Sequence, residues 1–160
     1  MRFPRLKPYQ IALEAACLIL LMGGIVFTVI KYPGLPANIP NHFDAAGNIT
    51  SYSGKGSIWI FEGVNIAMYA MMTLFIFIPA VVQNPNVTWK VNPASKFMLE
   101  SETISLLGET KIACVALFDY VLIPMVFGTS VIWPVWVILG VMTVGMILRL
   151  IRMKKVSQQK

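Results

Sequence analysis

Four long apolar runs, divided by shorter polar stretches, dominate the chain: residues 11–30, 58–82, 112–127 and 131–151. A run of roughly 20 apolar residues, rising about 1.5 Å each, crosses a hydrocarbon core of roughly 30 Å. The pattern therefore predicts an all-α integral membrane protein, a four-transmembrane-helix bundle in one membrane domain spanning residues 1–160. The third and fourth runs need a fold between them. From Ile112 to Leu148 the only charge is Asp119, and a straight helix of that length would be about 55 Å long. Gly128-Thr129-Ser130 is the natural tight turn, with Pro134 opening the fourth helix.

The stretch at 31–57 holds Pro33, Pro36 and Pro40 within eight residues. Such spacing excludes a regular helix and favours an extended path. Gly47-Asn48 marks a turn. Leu35, Ile39 and Phe43 do not suit a freely solvated loop, so a structured loop folded back on the helix ends is expected. Pro79 ends or kinks the second run, and Asn84-Pro85-Asn86 reads as turn material. Residues 96–107 place Phe97, Ile104 and Leu107 near a helical period, which predicts a short amphipathic helix before the third span. Ala12 and Ala16 form a small-xxx-small pair in the first span. That span exceeds a signal h-region and no A-x-A site follows before Pro33, so it is expected to stay as an uncleaved anchor.

Charge sets the orientation. The chain carries 13 Lys and Arg against 7 Asp and Glu, a net charge of +6. Only Lys31 and Lys55 fall between the first and second runs; the other eleven lie before the first run, between the second and third, or at the end of the fourth. By the positive-inside rule both termini and the amphipathic helix are cytoplasmic, and the 31–57 loop is extracytoplasmic. The asymmetry explains the basic charge as topology, and no nucleic-acid partner is expected. The basic tail would lie against anionic lipid. Cys17 and Cys114 lack disulfide or metal-ligand spacing and read as small apolar core residues. The two N-x-T sequons, at Asn48 and Asn86, are taken as chance.

The loop sequence Leu35-Pro36-x-x-Ile39-Pro40-x-His42-Phe43-x-x-x-Gly47, followed by Tyr52 and Lys55, resembles the signature of the bacterial membrane family called domain of unknown function 1648. That domain also stands at the N-terminus of SdpI-type immunity proteins. The resemblance covers about residues 31–79, and the length of the chain fits the stand-alone form. It implies a bacterial cytoplasmic membrane and no settled biochemical activity. The family commonly carries an acidic residue three positions after the motif glycine, where this chain has Thr50.

Two groups of residues are candidates for function. The first is the loop set: Leu35, Pro36, Ile39, Pro40, His42, Phe43, Asp44, Gly47, Lys55 and Glu62. Its plainer reading is architectural, with Glu62 pairing with Lys55 or His42 to fix the loop. Its functional reading is a surface for an extracellular peptide or membrane protein partner. The second set is intramembrane: Glu14, Asn65, Asp119 and Arg149. A lone carboxylate at depth costs several kcal/mol, so it must pair, protonate or reach water. Depth along the helices pairs Glu14 with Arg149 and leaves Asp119 neutral or hydrogen-bonded, with Asn65 as a partner. No nucleophile elbow, zinc motif or phosphate loop is present, so no catalysis, metal or cofactor is expected. The expected function is that of an immunity, sensor or accessory protein. The rival is a small proton- or ion-coupled transporter or channel using the intramembrane carboxylates, as a homo-oligomer.

Overall fold

A computed structural model describes residues 6–78, 95–128 and 133–158. Within them lie four long helices: α1 (Pro8–Lys31), α2 (Ser57–Phe77), α3 (Lys96–Phe127) and α4 (Trp133–Gln158). All four are long and apolar enough to cross a membrane. The chain is a multi-pass membrane protein. Pro79, the 84–86 segment, the sequon at Asn86 and the Thr129-Ser130 part of the predicted turn fall outside the described residues.

The all-α expectation needs one correction. Between α1 and α2 the chain forms an antiparallel hairpin of β1 (Asn38–Phe43) and β2 (Ile49–Gly54). A 3-10 turn over Tyr32–Gly34 leads into it. The prolines exclude helix, as read, but the extended path they allow is paired. Pro40 sits opposite Tyr52, and the register is irregular between Pro40 and Phe43. A proline lacks the N–H a ladder needs, so it belongs in a short, irregular strand. At the turn, Gly47 adopts a φ of 91°, a left-handed conformation that side chains resist.

The predicted amphipathic helix is not separate. Residues 96–107 are the first three turns of α3, one continuous helix of 32 residues. Its early face is buried rather than laid on an interface: Leu99, Ser101, Glu102, Ile104 and Ser105 are all inside. At the other end Gly128 caps the helix in a left-handed conformation, its N–H donating to the Pro124 carbonyl at 2.9 Å.

The helices alternate in direction. The hairpin closes one end, and at the other the N-terminus of α1 and the C-terminus of α4 each pack near the start of α3. α3 is central and packs against α1, α2 and α4. The core forms a series of small clusters along it. Leu35 and Ile39 from the hairpin root join Ile58, Leu122 and Met125. Cys17, Leu21 and Val115 form a middle layer, and Ile76 meets Ile104 nearer the termini. Leu99, Met153 and Val156 fasten α4 to the base of α3. Most outward apolar side chains, such as Ile19, Ile60, Val141 and Leu148, face the space lipid would fill.

Candidate functional site

The hairpin is rooted by its apolar residues. Ile39 is 1% exposed and Leu35 8%, and burial of each contributes about 1.5–3 kcal/mol. Phe43 is half-buried, Pro40 buried and Pro36 exposed. Lys31 and Lys55, the two basic residues at this end, each lie over a ring. Lys31 Nζ is 5.4 Å from the Phe127 centroid and Lys55 Nζ 4.9 Å from that of Tyr32. Tyr32 in turn packs on Trp59, centroids 5.4 Å apart. Asp44 organises the turn. Its carboxylate accepts the Asn48 side-chain amide at 2.9 Å and the backbone N–H groups of Asn48 and Ala46 at 2.8 and 2.9 Å. The Asn48 amide, then the turn's backbone N–H groups, hold its carboxyl below the ordinary value of 3.8. His42 is exposed, and Tyr52 is 62% exposed.

Beneath the hairpin, polar residues occupy the interface of α1, α2 and α3. Thr28 donates to Glu62 Oε1 at 2.6 Å. Asn65, one turn further along α2, donates through Nδ2 to Asp119 Oδ1 at 3.0 Å. Asp119 lies against the backbone of Gly24: a Cβ there would come within 2.5 Å of Asp119 Oδ1. The layer of Cys17, Leu21 and Val115 follows. Below it Lys111, fully buried, pairs with the Glu14 carboxylate and donates to Thr73 Oγ1 at 3.0 Å. Its ammonium also stands 4.8 Å from the Tyr69 ring centroid. All three donors of Lys111 thus have a receiving group. At the foot, Gln10 links α1 to α3 through Ser101 O and Ser105 Oγ, both at 2.9 Å.

The expected Glu14–Arg149 pair does not form. Glu14 takes Lys111 instead, and Arg149 is held by two carboxylates of α3. Its Nε lies 3.1 and 3.0 Å from the Glu109 oxygens, with Nη2 also on Glu109, and its Nη1 lies 2.6 Å from Glu102 Oε2. Arg152 adds a contact to Glu102 at 3.1 Å. Arg149 sits on α4, which packs on α3 and away from α1, so Glu14 is out of its reach. The expected partner of Glu62 is also corrected: Glu62 turns inward to Thr28, while Lys55 stays on Tyr32 and His42 points outward. Asp119 and Asn65 do meet. Lys111, Glu102 and Glu109 were missed because residues 83–111 read as a loop with a surface helix. Their signal was available: Glu102 and Glu109 are seven residues apart, two turns along one helix face.

Among the described residues no group of three His, Cys, Asp or Glu side chains is placed to hold a metal ion. The site is a set of buried hydrogen bonds and ion pairs under an anchored hairpin. Residues 19–66 match the family model described as domain of unknown function (DUF1648). The match starts within α1, earlier than the loop signature alone, and ends at Ile66 in α2, short of Pro79. It therefore includes Gly24, Thr28, the whole hairpin, Glu62 and Asn65. No curated protein and no solved structure matches the chain significantly.

Proposed function

We propose that this is a non-enzymatic protein of the bacterial cytoplasmic membrane, with both termini cytoplasmic, that acts through its extracytoplasmic hairpin. In that role it serves as an immunity, sensor or accessory protein, and the hairpin binds an extracellular peptide or a segment of a membrane protein. The observation that carries this reading is the contrast between the two sides of the hairpin. β1 lies against α3, with Leu35 and Ile39 sunk into the core, whereas β2 packs chiefly on β1. Tyr52 and Thr50 on β2, and His42 near the end of β1, stay exposed. A rigid two-stranded ribbon with an open edge offers backbone groups for an added strand and side chains for selectivity. Anchoring removes the ordering cost that a free loop would meet on binding. The apolar layer of Cys17, Leu21 and Val115 separates Asp119 from Lys111, which supports this reading over the transporter alternative.

The test is genetic. A strain lacking the protein is expected to be more sensitive to a panel of membrane-active peptides. Wild-type protein restores resistance, and a Tyr52→Ala, His42→Ala double variant present at equal level does not. Full restoration by the double variant would remove the hairpin surface from the mechanism.

A further inference from the structure

Two buried oxygens under the hairpin have no hydrogen-bond partner: Glu62 Oε2 and Asn65 Oδ1. Their residues are 2% and 1% exposed. They stand three apart on α2, so both side chains lie on one face as neighbours. Each is an acceptor, and two acceptors cannot satisfy one another. An unpaired buried acceptor loses the hydrogen bond that water would give it, and an ionised carboxylate with no cation costs more. Turning the Asn65 amide over would not help, because its Nδ2 is committed to Asp119 Oδ1 at 3.0 Å, a group that accepts when ionised.

A single shared proton would give both oxygens a partner. We propose that Glu62 and Asn65 form a proton-binding site inside the membrane, in which a neutral Glu62 carboxyl donates from Oε2 to Asn65 Oδ1. Every donor then points the same way: Thr28 to Glu62, Glu62 to Asn65, Asn65 to Asp119. Chains of this kind polarise one another and strengthen in low dielectric. The proton also keeps a negative charge out of a narrow space between helices that holds a second carboxyl group, Asp119, which faces the site from α3. From α1 the facing groups are uncharged, Thr28 and Gly24. The cations nearest in sequence, Lys31 and Lys55, are engaged on aromatic rings. A metal cation fits less well, since among the described residues no group of three His, Cys, Asp or Glu side chains is placed to hold one and just two oxygens at this site lack a partner. Ile58, one turn before Glu62, packs with Leu35 and Ile39, so the site lies directly beneath the hairpin root and its charge state bears on how the hairpin is held.

Infrared difference spectroscopy on the full chain in lipid vesicles tests the assignment. Wild-type protein at neutral pH should show a carboxylic acid carbonyl band that Glu62→Gln removes and Asp119→Asn leaves in place. Thermal melting gives an independent readout. Glu62→Gln should melt near wild type, because its amide donates to Asn65 Oδ1 and its oxygen still accepts from Thr28, while Glu62→Ala should melt several degrees lower. The proposal is overturned if no acid band depends on Glu62, or if Glu62→Gln is as damaging as Glu62→Ala. It is also overturned if replacing sodium by choline destabilises wild type but not Glu62→Gln, since the occupant is then a metal cation.

Discussion

Gly24 shows how one missing side chain organises the bundle. The Asp119 carboxylate occupies the volume that a Cβ at Gly24 would need, whereas Gly23 has no neighbour within 4 Å of its own Cβ position. The two adjacent glycines therefore have opposite meanings. Gly24→Ala should destabilise the protein by about 1–3 kcal/mol through overpacking. Gly23→Ala should leave stability unchanged or raise it slightly, since alanine is the better helix former. Detergent-induced unfolding in mixed micelles compares the two, and equal behaviour would refute the close contact. The importance of Gly24 could not be read from composition, because a Gly-Gly pair in a span looks the same whichever member faces inward. The small-xxx-small pair that was legible, Ala12 and Ala16, makes the weaker contribution, with Ala12 exposed.

Helices α1, α2 and α3 share a regular inward stripe. On α1 it runs Gln10, Glu14, Cys17, Leu21, Gly24, Thr28; on α2 Ile58, Glu62, Asn65, Tyr69, Met72, Ile76; on α3 Ile104, Gly108, Lys111, Val115, Phe118, Leu122, Met125. The steps alternate between three and four, the spacing of a coiled-coil contact face. In a soluble helix apolar periodicity marks the inside. Here the outside is apolar too, so the polar residues mark it, and Glu14, Glu62 and Asn65 could have been used that way. Lys111 escapes a reading of the sequence because it stands at the edge of an apolar run, where a cation more often reaches water. In the structure it is sealed between Glu14, Thr73 and Tyr69. Removing one member of such a buried pair leaves an uncompensated charge. Glu14→Ala should cost about 3–5 kcal/mol, whereas Glu14→Leu with Lys111→Met should come much closer to wild type. A double variant as unstable as the single one would show that the pair adds no mutual dependence.

At the scale of the whole molecule the two ends differ. The hairpin end carries aromatic rings with Lys31 and Lys55 on them, and the opposite end gathers the ion pairs of Arg149 and Arg152 with the basic tail. Four helices of membrane-crossing length and this asymmetry were legible in the chain, because both rest on long-range composition. The hairpin was not, because its register depends on burial against helices distant in sequence. In a variant with Cys17 and Cys114 replaced, Thr50→Cys should react with an impermeant thiol reagent in whole cells and Lys155→Cys should not; the reverse would invert the orientation. The ends also differ in how the chain must be made. α1, α2 and α3 each carry polar side chains that lipid alone would not satisfy, at several kcal/mol for a charged one. No residue in the most apolar stretch of α4 is buried inside the protein. During synthesis the first three helices therefore gain by leaving the insertion machinery together, with Glu14 waiting for Lys111 and Asn65 for Asp119, while α4 can enter the bilayer alone and join last.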